Sequence, residues 1–313
     1  MNPVLPLLFL LPYTRLELPG WGRLYDFLGC SHQNDDNWVH VPRKIIKGKI
    51  HGYRMPLDLS NWSERLTYFL GRFYELELQC LMQEVLVPGD RFVDIGANIG
   101  MISLTAAALV QESGRVDSFE PNPECVERIE ETLQLNPLPQ VKLHPVGLSN
   151  RADTLTLHLL EKHSGLGTLA QPLSQEIAQV CATVEVPVSV GDDVLAETSK
   201  PIKFIKIDVE GFEFNVLKGL TTALTQSKPV VMTELFPNHL QRAGTNRTEI
   251  QAFLRAFGYQ AYGLTLEQPI WGFGQPRLRL VPSDKELAQA PFRDFVWFHA
   301  SDGLLEKLQP FIH

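Results

Sequence analysis

From residue 88 onward the chain alternates short apolar runs with amphipathic stretches. Pro88-Gly89-Asp90 reads as a turn, and "RFVDIG" after it as a short buried strand. "MISLTAAALVQESG" predicts a helix ending at Gly114, "RVDSFEP" a second strand, and "PECVERIEETLQLN" a helix with Val126, Ile129 and Leu133 on one face. "QVKLHPVGLS" reads as a third strand and "IKFIKIDVEG" as a fourth. "FEFNVLKGLTTAL" is a helix, "PVVMTEL" a fifth strand, and "TEIQAFLRAFGY" a helix with Ile250, Phe253, Leu254 and Phe257 along one side. "DFVWFHA" reads as a last strand. Strands alternating with helices of this length imply βαβ units and a parallel sheet.

Two regions break the rhythm. Residues 1 to about 60 look irregular and rich in Pro, Gly and Trp, with "RKIIKGKIHGYRMPLDL" suggesting short antiparallel strands. "NWSERLTYFLGRFYELELQCLMQEVL" then turns helical, with a break at Gly71. We therefore divide the chain into an N-terminal extension, residues 1–64, and a main domain, 65–313. Within the latter, residues of about 151–199 hold "TLTLHLL" and "VEVPVSV", alternations that suit antiparallel strands or a flap.

Composition narrows the class. The 313 residues are 44% hydrophobic and 20% charged, enough to bury a full core, and the net charge of −8 disfavours a phosphate-backbone binder. Cys30, Cys80, Cys125 and Cys181 are scattered without metal-ligand spacing and read as thiols in a reducing, cytoplasmic setting. "MNPVLPLLFLLPYTR" is too short to span a bilayer and lacks a positive leader, so a packed or peripheral N-terminus is expected. Asn61 and Asn246 fit a glycosylation pattern that matters only in a secreted protein.

The stretch "FVDIGANIG" carries the first chemistry. A buried strand ends near Asp94, and Gly96, Asn98 and Gly100 punctuate the bend that follows, where open α/β sheets bind ligands. Glycines let backbone approach a ligand closely, and a helix N-terminus offers free N–H groups to an anion. Twenty residues after Gly100 comes Glu120, placed to accept both hydroxyls of a ribose. A dinucleotide would want glycine where Asn98 stands. S-adenosylmethionine, which has a ribose and an amino acid but no pyrophosphate, fits better, with Asp94 near its amino group. The bland alternative is a tight strand-to-helix turn.

"FVDIGANIG", "SFEPNPE", "KIDVEGFE" and the earlier "GRFYE" together resemble the FkbM-type methyltransferases, over about residues 65–265. The resemblance implies a Rossmann-like class I α/β fold. Its sheet would be seven-stranded and mostly parallel, the last strand antiparallel, with helices on both faces. It also implies S-adenosylmethionine as cofactor and a hydroxyl on a natural product or glycan as acceptor. Asn122, in the second motif, joins the cofactor-side candidates. Tyr74 and Glu75, placed on a helix before the first strand, join them as well.

"FIKIDVEGFE" repeats the logic of the first strand, ending in Asp208 with Glu210 and Gly211 opening a helix. The fourth strand neighbours the first in a doubly wound order, so Asp208 should face the same crevice. Glu213 reads more simply as a helix cap. Glu234 at the end of the fifth strand and His239 beyond it complete the catalytic candidates Asp208, Glu210, Glu234 and His239. A hydroxyl acceptor needs somewhere to leave its proton, and a carboxylate or His serves. Asp208, Glu210 and Glu234 also suit Mg²⁺, but nothing in the spacing demands a metal and none is expected. His144, His158 and His163 lie in or near the insert, where "HSGLGTL" reads equally as a lid loop or an exposed turn. A nicotinamide-dependent oxidoreductase, which would want GxGxxG, and a non-catalytic cofactor-binding module are the alternatives. No nucleic-acid partner is expected, because neither an Asn-Pro-Pro-Tyr-like motif nor a basic face is present. The oligomeric state is left open.

Overall fold

A computed structural model describes residues 4–160, 167–173, 176–177, 180–267, 276–285 and 287–313. His163, with the start of "HSGLGTL", and residues 268–275 lie outside the described residues.

The extension is more regular than its composition suggests. It opens with helices α1 (Val4–Arg15) and α2 (Trp21–Phe27), then a hairpin of β1 (Lys44–Lys47) and β2 (Arg54–Leu57) paired antiparallel. Pro6 falls in the first turn of α1, where no intrahelical N–H is needed, so only Pro12 interrupts the ladder. The Thr14 hydroxyl donates to Phe69 O at 2.7 Å, tying α1 to α3 (Trp62–Leu70). Asn61 caps α3 through its side chain, and Gly71, at φ 69°, ends it in the left-handed conformation that costs glycine little. Asn246 caps a later helix in the same way, so both sequon asparagines serve as caps. Helix α4 (Leu76–Val85) leads into the main sheet.

That sheet is built from β3 (Arg91–Ile95), β4 (Arg115–Phe119), β5 (Val141–His144), β10 (Phe204–Ile207), β11 (Val230–Glu234), β12 (Tyr259–Glu267), β13 (Arg277–Pro282) and β14 (Asp294–His299). Its order is β13-β12-β14-β11-β10-β3-β4-β5. The five strands from β11 to β5 run parallel, and β14 enters antiparallel between β11 and β12. The sheet thus has eight strands, not the seven that the family resemblance implies. The extra one is β13, whose "RLRLVP" alternates exposed arginines with buried Leu278 and Leu280 and pairs with β12 as a hairpin.

Period-two alternation sends side chains to two cores. Phe92, Val116 and Phe204 pack with Leu78, Leu81 and Ile102 and with Leu10 and Trp38 of the extension. Val93, Ile205 and Val231 pack with Leu217, Leu224 and Leu254 on the opposite face. Helix α5 (Met101–Val110) covers the first face, and α6 (Pro123–Leu135) follows β4. Helix α5 stops at Gln111 (φ 58°), short of Gly114, which packs too closely against Val110 to bear a Cβ.

A second sheet, ordered β6-β9-β7-β8, comes from β6 (Gly147–Ser149), β7 (Asp153–Leu160), β8 (Gly167–Thr168) and β9 (Val180–Val190). "QVKLHPVGLS" is therefore two strands in two sheets, divided at Pro145, which has no N–H for a ladder. After α7 (Gly191–Leu195), "FEFNVLKGLTTAL" is likewise two helices, α8 (Glu213–Lys218) and α9 (Thr221–Gln226). The break comes at Gly219, where a Cβ would meet Ser149 O at 2.1 Å. Helices α10 (Pro237–Arg242), α11 (Arg247–Ala256) and α12 (Leu304–Leu308) complete the chain. Among the described residues no helix is long and apolar enough to cross a membrane.

Candidate active site

The turn after β3 adopts left-handed backbone at Gly96 (φ 78°), Asn98 (φ 50°) and Gly100 (φ 83°). Position 96 admits only glycine: a Cβ there would lie 1.9 Å from Asp208 O. Gly96 and Ala97 both donate their N–H to Phe119 O at 3.0 Å, which folds the turn onto the end of β4. Glu120 continues that clamp. Its Oε2 accepts from Asn98 N at 2.8 Å and its Oε1 from Asn122 N at 2.9 Å. Burial pushes the Glu120 carboxyl up to about 7, with those two backbone donors opposing the rise. Asn122 caps α6 with its Oδ1 (Glu124 N, 3.1 Å), while its buried Nδ2 has no hydrogen-bond partner. Glu120 and Asn122 line a cavity of about 70 Å³, walled by Phe119 and by Leu157 and Leu169 from the insert.

A second cavity, about 170 Å³, opens on the other side of the turn. Its walls include Trp62, Phe73 and Tyr74, with Glu75, Asp208, Glu210 and Glu234 around them. Gly96, Asn98, Asp208 and Glu210 line both cavities. Asp94 and Gly100 line neither. Asp94 is wholly buried and accepts the Ser103 hydroxyl at 2.6 Å, and Gly100 precedes α5. Tyr74 and Glu75 are not on a helix as the sequence suggested. They sit in the bend between α3 and α4, where Gly71 has already ended one helix and Glu75 holds the non-helical cap position of the next. The Tyr74 ring packs 5.4 Å from that of Trp62.

The carboxylates crowd one another. Burial, reinforced by Asp208, raises Glu75 to about 8. Burial and then Asp208 and Glu210 raise Glu234 to about 10. Asp294, directly across the β11–β14 pair from Glu234, is pushed up to about 7 by burial and then by Asp208 and Glu77. Glu213 opens α8 but does not cap it: its side chain accepts from Gly211 N at 3.0 Å and Val209 N at 3.3 Å, bracing the preceding loop and leaving the helix's own N–H groups without a side-chain cap. Glu210 holds left-handed backbone (φ 54°), and the Thr168 hydroxyl of the insert donates to its carbonyl at 2.8 Å. Next to it, Gly211 lets the loop press on α10, since a Cβ would meet His239 O at 2.2 Å. His239 Nδ1 lies 2.8 Å from Glu210 Oε2, but the pair is misaligned for a hydrogen bond and both atoms are buried without a partner. Donor atoms of Glu210, Glu234 and His239 lie within 4.8 Å of one another, so the set close enough to share a cation includes His239 and omits Asp208.

Sequence reasoning overlooked Lys206, Asp294 and Trp62. Lys206, 4% exposed, sends Nζ to Gly96 O at 2.7 Å and to Asp94 Oδ1 and Asp208 Oδ2 at 3.5 Å each. A cation inside the apolar run "FIKI" was the available signal. His144 stacks on Phe119 and contacts Asp117 behind the site, and His158 is on β7.

Residues 94–261, more than half of the chain, match the model of the methyltransferase FkbM domain. The chain belongs to the FkbM methyltransferase family. Among curated relatives, the hexuronic acid methyltransferase AglP of Haloferax volcanii is 31% identical over 64% of this chain and 79% of its own. Methyltransferase sdnD of Sordaria araneosa is 29% identical over 50% of this chain and 74% of its own. An FkbM methyltransferase structure from Methylobacillus flagellatus aligns at TM-score 0.41 and 15% identity, over 77% of this chain and 54% of that one. The family match sides against the nicotinamide-dependent alternative.

Proposed function

We propose that this protein transfers a methyl group from S-adenosylmethionine to a hydroxyl oxygen of a glycan or natural-product acceptor. The observation that carries the reading is the meeting of two cavities at Gly96, Asn98, Asp208 and Glu210. A ligand seated in one cavity reaches the other at a pair of carboxylates. On the first side, Glu120 accepts the ribose hydroxyls, the orphaned Asn122 Nδ2 donates to an acceptor on the ligand, and Phe119 and Leu157 supply apolar walls. On the second side, Tyr74 and Glu75 close over the amino-acid end. Asp94 acts from behind, anchored by Ser103 of α5 and facing the Lys206 ammonium that holds the turn carbonyl of Gly96.

When bound, the cofactor supplies an electrophilic methyl group. The chain's own work is alignment and proton removal. Holding the acceptor oxygen in line is worth several kcal/mol of barrier. Asp208, partly open to the cavity, takes the hydroxyl proton, and the Glu210–His239 pair lies beside it. Glu234 keeps its own proton near neutral pH and serves as a hydrogen-bond donor to the acceptor, not as a base. The aromatic wall of Trp62, Phe73 and Tyr74 suits the face of a ring. The name of the Haloferax relative makes a uronic-acid glycan the first acceptor to try.

Thermal melting with S-adenosylhomocysteine and with NAD tests the cofactor. Ligand at a hundred times its Kd adds about 2.7 kcal/mol of stability. Stabilisation by NAD and none by S-adenosylhomocysteine would overturn the reading. Transfer of labelled methyl to a panel of uronic-acid, neutral-glycan and polyketide acceptors then identifies the acceptor.

A further inference from the structure

We infer that Lys206 is a positioning residue: one buried ammonium fixes the cofactor-side turn and the acceptor-side Asp208 relative to each other. The inference rests on the reading of the two cavities given above. Lys206 occupies the middle of β10, between β3 and β11, opposite Asp94 in one register and Met232 in the other. The rest of the strand is Phe204, Ile205 and Ile207, all fully buried, and its ladders are made by backbone. An apolar side chain would satisfy the sheet at that position, and a buried charge is costly unless it is well partnered.

The partners explain its presence. Gly96 O accepts a hydrogen bond from Nζ at 2.7 Å, and carboxylate oxygens of Asp94 and Asp208 lie 3.5 Å away as ion pairs. Nor is there room between Gly96 and the Asp208 backbone, since even a Cβ at position 96 would lie 1.9 Å from Asp208 O. Lys206 therefore joins the carbonyl that orients the glycine turn to the side chain that receives the acceptor's proton. Glu75, ahead of α4, and Asp294, on β14, also act on it electrostatically.

The test uses Lys206→Met, which keeps length and removes charge, and Lys206→Gln, which keeps a donor for Gly96 O but no charge. S-adenosylhomocysteine binding is measured by calorimetry, and kcat and KM by labelled-methyl transfer to the acceptor found in the screen. Lys206→Met should weaken binding by about tenfold or more and lower kcat by about a hundredfold. Lys206→Gln should bind within about threefold of wild type yet remain slow, since it restores only the neutral hydrogen bond. Adding Lys206→Met to Asp208→Asn should cost little more in kcat than Asp208→Asn alone, because the two act as a unit. Wild-type values in both Lys206 variants, or fully additive losses with Asp208→Asn, would overturn the inference. Failure of both variants to fold would overturn it too, marking Lys206 as a purely structural cation. A wild-type protein that binds no S-adenosylhomocysteine would instead overturn the cofactor reading, and this inference with it.

Discussion

On the β4 side of the glycine turn, most polar groups find partners inside the chain. Glu120 takes two backbone N–H groups, Gly96 and Ala97 donate to Phe119 O, and among the described residues that line its cavity Asn122 Nδ2 is left open. On the β11 side the reverse holds. Glu75, Glu210, Glu234 and Asp294 gather around Asp208, and Glu210 Oε2 and His239 Nδ1 are buried without alignment. The first region is preorganised, so a ligand binds there without rearranging its donors. The second avoids like-charge repulsion by keeping Glu75 and Glu234 protonated near neutral pH and setting the Lys206 ammonium beside Asp208, as befits the end where protons move.

Four experiments probe that contrast. The largest effect is expected from Asp208→Asn, which keeps shape and removes the receiving charge. Turnover should fall 10²–10⁴-fold while S-adenosylhomocysteine affinity changes little. Normal turnover would shift the base to Glu210 or His239. Gly211→Ala comes next, because its Cβ would meet His239 O at 2.2 Å and displace the Glu210 loop. A shift of about 1 Å can cost 10²-fold in rate, and cofactor binding measured in parallel should survive. If binding collapsed along with rate, the two regions would not be separable. Glu120→Ala probes the other side: losing charge-assisted hydrogen bonds costs roughly 1.5–3 kcal/mol, so calorimetry should show a Kd at least about tenfold weaker.

The smallest effect concerns stability. Glu234 titrates at about 10 in the folded chain against an ordinary 4.5, so the folded state holds a proton that the unfolded state has lost between those values. More protons on the folded side means that stability falls as pH rises through that window. Glu234→Gln cannot ionise in either state. Its melting temperature should therefore decline less than wild type's between pH 6 and 9, by a few degrees. Parallel melting curves would show that the repulsion is relieved in some other way.

What the sequence made legible was mostly local. Strand ends, turn glycines and the spacing from Gly100 to Glu120 all sit within one βαβ unit, where chain order and spatial order coincide. One long-range fact was readable, since a doubly wound order sets the fourth strand beside the first and so brings Asp208 to the glycine turn, but others were not. Asp294 matters because β14 slides between β11 and β12 and sets it against Glu234, a pairing decided by topology. Lys206 hid inside an apolar strand, where a pattern of burial argues against a charge. Prolines concealed α1, and one of the two that fall within it costs the helix no hydrogen bond. Tyr74 and Glu75 were located, but their backbone was mistaken because helical spacing runs through the break at Gly71.

The hairpin that adds β13 also decides how the sheet meets other molecules. An open strand edge is a template on which a second chain can extend the ladder, and charge along it is the usual deterrent. Here the outer strand presents Arg277 and Arg279 to solvent, and residues near the C-terminus cover part of it, with Ile312 bridging to Leu280 and His313 N donating to Leu280 O. At the opposite edge, exposed Lys142 on β5 is paired with Glu197. Both flanks of the sheet therefore end in charge, which guards the parallel centre against edge-to-edge aggregation.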